Sequence, residues 1–167
     1  INHQGKVGVF VNETVEKIVE ISEKAKLNFI QLHGDEDEEF VKKLRLSLSK
    51  NIKIIKVIRI GNDFEKFKNE ISKISNLKSQ ISNLLFDTDS KAFGGTGKTF
   101  DWQILNEIEI PIPYFLSGGI SLENIHQLST INQQPLALDI NSKFETEPGI
   151  KNLEKIKNFT QIVKKIY

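Results

Sequence analysis

Cysteine and methionine are both absent from this chain of 167 residues. Without cysteine the chain can form no disulfide, no cysteine-ligated metal site and no thiolate nucleophile or base of its own, and this composition fits a cytoplasmic protein. Because a translated gene starts with methionine, we expect that Ile1 is not the native start.

Long hydrophobic runs and an excess of charge of either sign are missing as well. No apolar stretch approaches the length of a membrane-spanning helix, and no signal peptide is visible. The 23 basic and 22 acidic residues give a net charge of +1, so nothing favours nucleic acid or an anionic membrane as a partner. The length is sufficient for one domain with a hydrophobic core.

Short apolar runs alternate with longer amphipathic stretches along the chain. This pattern predicts strands at Val7–Val11, Phe29–Leu32, Ile52–Ile58, Leu84–Phe86, Tyr114–Leu116 and Leu136–Ile140. It predicts helices at Thr14–Lys26, Glu36–Leu48, Asp63–Ser75, Asp101–Asn106, Leu122–Ser129 and Asn152–Ile166. Strict alternation of strand and helix indicates an α/β fold with a parallel sheet, either doubly wound and open or closed as a (β/α)₈ barrel.

Two glycine-rich segments follow late strands of this pattern. Gly94–Gly97 can bring successive backbone N–H groups close to phosphate oxygens, although it is not a nucleotide P-loop because Ala92 stands where that motif requires glycine. Ser117–Gly119 directly follows a strand and precedes a helix, a position that favours an anion. A flexible surface loop and a tight turn are the structural alternatives. Together, however, the two segments match the phosphate site of barrel enzymes.

Several ionisable side chains stand at predicted strand ends. Asp87 could act as a general acid or base if its pKa is raised, with Asp89 as a competitor and a capping role as the alternative. His33 and Arg59 could contact substrate or stabilise the fold, and Asp139 could face a site or be a satisfied core residue. The spacing of His, Asp and Glu indicates no metal site.

The motifs occur in a fixed order: Val7–Asn12, Gln31–Gly34, Leu85–Thr88, Gly94–Gly97 with Phe100–Trp102, and Leu116–Gly119. In this combination the chain resembles phosphoribosylanthranilate isomerase, from the third strand of that family to its final helix. The resemblance covers essentially the whole chain, and the Gly94–Gly97 segment with Phe100–Trp102 is its most specific part. It implies a (β/α)₈ TIM barrel of which residues 1–167, as a single partial domain, supply roughly strands 3 to 8.

The resemblance also implies a reaction, the Amadori rearrangement of phosphoribosylanthranilate to its aminoketose in tryptophan biosynthesis. In this family an acid opens the ribose ring and a base removes the C2′ proton, and the acid matches Asp87. The family uses no cofactor or metal, its partner is a phosphosugar, and we expect a monomer or a homodimer. The implied phosphate-binding residues are Gly94, Gly95, Thr96, Gly97, Ser117, Gly118, Gly119, Asn141 and Ser142. The implied substrate-binding residues are His33, Arg59 and Asp139.

Two departures from the family pattern are visible. The cysteine base and a carboxylate-binding arginine belong to amino-terminal segments that this chain lacks, so we expect roughly 30–40 residues to be absent and the chain alone to be inactive. The family's final Ser-Ser-Gly turn reads Asn141-Ser142-Lys143 here. If that turn needs a positive φ, Lys143 costs about 1–2 kcal/mol more than glycine, unless its charge compensates by reaching the phosphate.

Two alternative functions stay open at this point. Another phosphate-binding barrel enzyme, such as indole-glycerol-phosphate synthase, would need catalytic Lys and Glu residues at strand ends, for which Lys56 is a weak candidate. A remnant that binds phosphosugars without turnover is favoured by the absence of cysteine if Ile1 is the true start.

Overall fold

The computed structural model describes residues 5–89 and 99–166. Six strands form one sheet in the order β1-β2-β3-β4-β5-β6. Their bounds are Val7–Phe10 (β1), Phe29–Leu32 (β2), Lys53–Ile60 (β3), Asn83–Thr88 (β4), Tyr114–Leu116 (β5) and Ala137–Leu138 (β6). The β1–β2, β2–β3 and β5–β6 pairs are parallel, which confirms the α/β class expected from the alternating pattern. The last strand is shorter than predicted, since Leu136 and residues 139–140 lie outside it.

Four α-helices alternate with the strands, and their bounds are Val15–Ala25 (α1), Glu38–Ser47 (α2), Phe64–Ile74 (α3) and Leu153–Ile166 (α4). The Thr14 side chain accepts the N–H of Lys17 at the start of α1, and Asp37 accepts the N–H of Phe40 at the start of α2. Because Asp37 is the cap, α2 begins two residues later than predicted, and Glu36 lies in the loop before it. No helix within residues 5–89 and 99–166 is long and apolar enough to cross a membrane.

Two predicted α-helices are wrong in type. The segments near Asp101–Asn106 and Leu122–Ser129 form the 3₁₀ helices Trp102–Glu107 and Ile125–Thr130. Each has only six residues, too few to offset the cost of nucleating an α-helix. Further 3₁₀ turns lie at Ser75–Leu77 and Ser142–Phe144.

A short antiparallel hairpin follows β6 and was not predicted. Glu145–Glu147 (β7) pairs with Ile150–Lys151 (β8) around Gly149, whose φ is 83°. The signal for it in the sequence is Pro148-Gly149, a dipeptide that favours a tight turn. The hairpin precedes α4 directly, and the N–H of Asn152 donates to the Phe144 carbonyl.

The chain divides into two compact units. The first comprises residues 1–58, 69–85 and 111–113 and contains β1, β2, α1 and α2. In its parallel register Val7 lies opposite Phe29, and Phe29 lies opposite Lys53. Its core consists of aliphatic side chains with no solvent exposure: Ile18, Ile30, Leu32, Val41, Leu44 and Ile54.

The second unit comprises residues 59–68, 86–110 and 114–167. Its core contains an aromatic cluster: the rings of Phe67 and Phe86 lie 5.7 Å apart, and those of Phe86 and Tyr114 lie 5.0 Å apart. A second pair of rings, Phe144 and Phe159, has its centres 4.8 Å apart and packs the segment after β6 against α4. Phe86, buried completely, immediately precedes Asp87, so this packing fixes the end of β4.

Candidate active site

Asp87 lies near the end of β4, where its side chain is half-buried. Its Oδ1 accepts the N–H of the next residue, Thr88, at 2.8 Å. Asp89, the competing carboxylate, is exposed, and its own N–H donates to the Ile60 carbonyl at 2.8 Å. Because Asp87 is shielded and held by the backbone while Asp89 faces solvent, the geometry favours Asp87 as the reactive carboxylate.

The Ser117–Gly119 turn after β5 packs directly against Asp87. Gly118 has a φ of 86°, and a Cβ at this position would lie 2.8 Å from the Thr88 nitrogen and 3.0 Å from Asp87 Oδ1. Gly119 also has a positive φ, 65°. Glycine is therefore required at 118 both by the backbone conformation and by the close approach to the carboxylate.

Asp139 follows β6 and joins the same group. The Ser117 hydroxyl donates to Asp139 Oδ2 at 3.3 Å, and the Asp139 N–H donates to the Leu116 carbonyl at 2.8 Å. Ser117 itself is anchored because its N–H donates to the Phe86 carbonyl at 2.8 Å. The second unit thus brings together three predicted site residues, Asp87, Ser117 and Asp139, from the ends of β4, β5 and β6. Gly118, next to Ser117, packs against Asp87, and Ser117 is hydrogen-bonded to Asp139.

The turn after β6 differs from what the sequence led us to expect. Among the described residues only Asn12 and Lys26 combine a side chain with a positive φ, so the condition for a backbone cost at Lys143 is not met. Lys143 is accommodated in a 3₁₀ turn, where the Phe144 N–H donates to the Asn141 carbonyl. The side-chain oxygen of Asn141 accepts the ammonium of Lys151, which also pairs with Glu145. The hairpin strand β8 therefore holds this turn in place.

The charge of Lys143 lies close to a carboxylate. A hydrogen bond from Ser121 lowers the pKa of Glu123, and the positive charges of Lys155 and Lys143 lower that pKa further. The N–H of Ser121 donates to Asn124 Oδ1 at 2.9 Å, and Asn124 directly precedes the 3₁₀ helix Ile125–Thr130. Glu123 is thus ionised at neutral pH and partly offsets the charge that Lys143 would bring to a bound anion.

His33 lies in the first unit, immediately after β2. Its N–H donates to the Phe10 carbonyl at 2.8 Å, and its ring Nδ1 lies 2.9 Å from the amide nitrogen of Gln31. Gln31 is 7% exposed. Sequence reasoning missed Gln31, although a glutamine two residues before a histidine shares its face of a strand and signals such a contact.

A buried carboxylate, Glu36, connects β3 with the segments that follow β1 and β2 in the first unit. Its Oε1 accepts the N–H of Asn12 at 2.9 Å, both of its oxygens accept the N–H of Gly34 at 3.1 Å, and its Oε2 accepts the ammonium of Lys56 at 2.9 Å. The side chains of Glu36 and Lys56 are 2% and 11% exposed. Sequence reasoning assigned Glu36 to a helix start, and no motif marks it, because the Asn12 N–H and the Lys56 ammonium that it accepts lie 24 and 20 positions away along the chain.

Lys56 is a structural residue in this arrangement. Besides Glu36 it donates to the Gly34 carbonyl at 3.2 Å, so its ammonium is committed to two partners inside the first unit. The alternative that needed Lys56 as a catalytic lysine therefore loses its candidate. Arg59 lies in β3 and is half-buried. Among the described residues no group of three or more His, Asp or Glu side chains could hold a metal ion.

The Gly94–Gly97 segment, including Thr96, lies outside the described residues. The predicted phosphate site is therefore represented in the structure by Ser117–Gly119, Asn141 and Ser142.

We expect Gly118→Ala to destabilise the protein more than Gly149→Ala. Both glycines have φ near 85°, so both variants carry the same left-handed strain of about 1–2 kcal/mol. Only at 118 does the new methyl group collide with Thr88 and Asp87, whereas nothing lies within 4 Å of a Cβ at 149. The collision adds about 1–3 kcal/mol. Urea denaturation measures both free energies of unfolding, and equal losses would contradict the close packing against Asp87.

Comparison with known proteins assigns the family. The sequence profile described as N-(5'phosphoribosyl)anthranilate (PRA) isomerase matches residues 1–162. The N-(5'-phosphoribosyl)anthranilate isomerase of Clostridium acetobutylicum is 41% identical over 166 residues, which cover 96% of this chain and 73% of that protein. The corresponding enzyme of Staphylococcus haemolyticus is 40% identical over 163 residues, which cover 95% of this chain and 73% of that protein.

Solved structures agree with the sequence comparison. The phosphoribosyl anthranilate isomerase of Thermotoga maritima has a TM-score of 0.77 at 35% identity, with 96% of this chain and 73% of that chain covered. A further phosphoribosyl anthranilate isomerase structure is a complex with reduced 1-(o-carboxyphenylamino)-1-deoxyribulose 5-phosphate. It is 30% identical to this chain with a TM-score of 0.74, and the match covers 96% of this chain and 71% of that chain. By profile, sequence identity and structure alike, this chain belongs to the phosphoribosylanthranilate isomerase family.

Proposed function

We propose that Asp87 is the general acid with which this member of the family isomerises N-(5'-phosphoribosyl)anthranilate in tryptophan biosynthesis. The observation that supports this assignment best is the packing of Gly118 against the Asp87 carboxylate. The same turn that is suited to the substrate's phosphate thereby sets the position of the acid. Positioning of this kind matters because a displacement of about 1 Å at a reacting group can cost about 10²-fold in rate.

In the proposed reaction Asp87 donates its proton to the ribose ring oxygen. The bond from that oxygen to C1′ breaks, the nitrogen lone pair forms the C=N bond of a Schiff base, and Asp87 is left as a carboxylate. A base then removes the C2′ proton, the C–H electrons form a C1′=C2′ bond, and the C=N electrons return to nitrogen. The resulting enol tautomerises to the aminoketose. No cofactor enters these steps.

The proposed phosphate site consists of Ser117–Gly119 and the turn at Asn141 and Ser142, together with Gly94–Gly97. Backbone N–H groups near the positive-φ residues Gly118 and Gly119 are suited to oxyanions. His33, Arg59 and Asp139 are proposed as substrate-binding residues. The side chains of Asp139 and Ser117 share a hydrogen bond.

We predict that inorganic phosphate binds at Ser117–Gly119 and Gly94–Gly97. In an NMR titration the backbone amide resonances of these residues should shift together, and saturably, with phosphate. Gly149→Ala carries the same left-handed strain, but its Cβ would meet nothing within 4 Å, so the shifts at Ser117–Gly119 should persist, whereas Gly118→Ala should weaken them. Saturable shifts confined to other residues, with these loops unmoved at high phosphate, would refute the proposed site.

We further propose that β1–β6 correspond to strands 3 to 8 of a family (β/α)₈ barrel and that residues 1–167 form part of a single domain. The coverage of 73% of the Thermotoga maritima chain supports this correspondence. The protein is proposed to work in the cytoplasm as a monomer or a homodimer. Another solved structure describes monomers of the dimeric enzyme from Thermotoga maritima.

We predict that the 167-residue chain has no isomerase activity alone and gains activity when an amino-terminal βα segment is added. The resemblance to the family implies a cysteine as the base that removes the C2′ proton, and this chain contains no cysteine. The segment can be taken from the Thermotoga maritima enzyme, and turnover followed by anthranilate fluorescence. The matched control is the same segment with its cysteine replaced by alanine, which should restore no activity. Full activity of the unaided chain would contradict this proposal.

Binding separates the proposed enzyme from a remnant that has lost its chemistry. We call the chain mixed with the amino-terminal segment the complemented chain. It should bind the reduced analogue of the relative's structure saturably in calorimetry, and it should turn over substrate. Binding of the analogue without any turnover, in the presence of the amino-terminal segment, would instead favour a non-catalytic phosphosugar-binding protein.

A further inference from the structure

The turn after β6 contains an asparagine that is followed by a small residue. Asn141 precedes Ser142, whereas every other asparagine of the chain precedes a residue with a larger side chain. Asparagine is thermolabile, because the backbone nitrogen of the next residue can attack its side-chain Cγ, and a bulky side chain on that residue obstructs the approach. By sequence alone, Asn141 is the asparagine of this chain that is most open to such an attack.

The backbone conformation of Asn141 turns its side chain towards the Ser142 nitrogen. Its φ is −137° and its ψ is −109°. For an L residue this ψ brings the Cα–Cβ bond nearly into eclipse with the bond from the carbonyl carbon to the next nitrogen. Closure of a five-membered succinimide ring then needs only a rotation about the Cα–Cβ bond. The Ser142 N–H stands at the first position of the 3₁₀ turn Ser142–Phe144, where the turn supplies no acceptor for it.

A cation lies on the amide oxygen of Asn141. Lys151 Nζ donates to Asn141 Oδ1 at 2.5 Å. That oxygen takes up negative charge when Cγ becomes tetrahedral, and an ammonium already in contact with it stabilises the charge. Lys151 is itself held in place, because it lies opposite Glu145 in the β7–β8 hairpin and its ammonium pairs with the Glu145 carboxylate at 2.6 Å.

The hairpin and the turn are joined firmly enough to keep these groups together. The N–H of Asn152 donates to the Phe144 carbonyl at 2.7 Å, and the buried Phe144 ring packs on Phe159. Asn141 and Ser142 are nevertheless exposed, so water reaches both. The nucleophile, the amide and the cation are therefore preorganised for a reaction that solvent can complete.

We propose that Asn141 is a site of spontaneous deamidation in the folded protein and that Lys151 promotes the reaction. The Ser142 nitrogen forms a bond to Asn141 Cγ and gives its proton to water. The bond from Cγ to Nδ2 breaks, and the nitrogen takes a proton from solvent and leaves as ammonia. Water then opens the succinimide at one of its two carbonyl carbons, which leaves aspartate or isoaspartate at position 141.

The modification adds a negative charge to the turn that is proposed to bind the substrate's phosphate. The deamidation stands on the local geometry alone, and its effect on substrate rests on the function proposed above. Because the new carboxylate repels a phosphate dianion, deamidated protein should bind substrate more weakly.

Peptide mass spectrometry tests the site directly. The complemented chain is incubated in water enriched in oxygen-18, so that hydrolysis of a succinimide in the folded protein introduces the heavy oxygen and deamidation during later digestion does not. We expect the label at position 141 before any other asparagine of this chain, and we expect the rate at 141 to fall when the chain is unfolded in urea. Earlier labelling of another asparagine, or a rate at 141 that rises on unfolding, would overturn the proposal.

Variants of Lys151 test its part in the reaction. Lys151→Met should slow the labelling about tenfold, the loss of one hydrogen bond to the developing charge, and Lys151→Arg should keep most of the rate because it keeps the cation. Lys157→Met, at an exposed position on α4, removes the same charge and should change nothing. An unchanged rate in Lys151→Met would reject the role of Lys151, and labelling of the wild-type chain stays decisive even if a variant does not fold.

Binding of the reduced product analogue to the complemented chain tests the effect on substrate. Asn141→Asp should weaken it about tenfold by like-charge repulsion, whereas Asn158→Asp, which adds the same charge at an exposed position on α4, should not. An unchanged affinity in Asn141→Asp would reject the effect of the modification on substrate. Failure of the unmodified complemented chain to bind the analogue at all would instead count against the proposed function.

Discussion

Asp87→Asn is expected to lower the isomerisation rate of the complemented chain by about 10²–10⁴-fold, the usual loss when one general acid is removed. Asparagine keeps the shape of the side chain, and its oxygen can still accept the Thr88 N–H that Asp87 Oδ1 accepts at 2.8 Å. It has no acidic proton to give to the ribose ring oxygen. Binding of the product analogue should therefore remain close to normal while turnover, followed by anthranilate fluorescence, is lost.

Asp89→Asn is the matched control for this experiment. Asp89 is two residues away and exposed, and the contact that fixes it to β3 is made by its backbone N–H with Ile60. The substitution removes the same charge without touching the half-buried carboxylate, so turnover should stay close to that of the unmodified protein. Near-normal activity in Asp87→Asn together with a large loss in Asp89→Asn would transfer the acid role to Asp89.

Lys56→Met should have the largest effect on stability. It removes the ammonium from Glu36, whose side chain is 2% exposed, and leaves an uncompensated carboxylate in the interior. Removing one partner of a buried ion pair typically costs about 3–5 kcal/mol. The loss should appear as a lower urea midpoint with an unchanged denaturant slope.

Two further variants separate the buried charge from simple loss of packing. Adding Glu36→Gln to Lys56→Met removes both charges and leaves an amide oxygen for the N–H groups of Asn12 and Gly34, so the double variant should be more stable than the sum of the single losses. Lys42→Met breaks the exposed pair with Glu38 on α2 and should cost less than about 1 kcal/mol. Additive losses in the double variant would show that the two charges act independently.

The strand and helix pattern was readable because it depends on local periodicity. Runs such as Phe29–Leu32 and Tyr114–Leu116 were predicted with their observed bounds, since they are mostly aliphatic or aromatic and each is followed by a turn that contains glycine. The type of the short helices was not readable. Trp102–Glu107 has only six residues, and a segment this short spans too few turns for periodicity to separate an α-helix from a 3₁₀ helix.

At the site, the sequence by itself determined the family, the candidate acid and the glycine turn. Asp87 and Ser117–Gly119 place a carboxylate and a glycine turn at strand ends, and these residue types by themselves indicate the chemistry. Only the tertiary structure decided that Gly118 packs on Asp87 and that Glu36 joins β3 to the segments that follow β1 and β2. These contacts join residues up to 31 positions apart or satisfy backbone groups, and backbone N–H and C=O groups are the same in every residue. Their pairing leaves no mark on the sequence until the chain is folded.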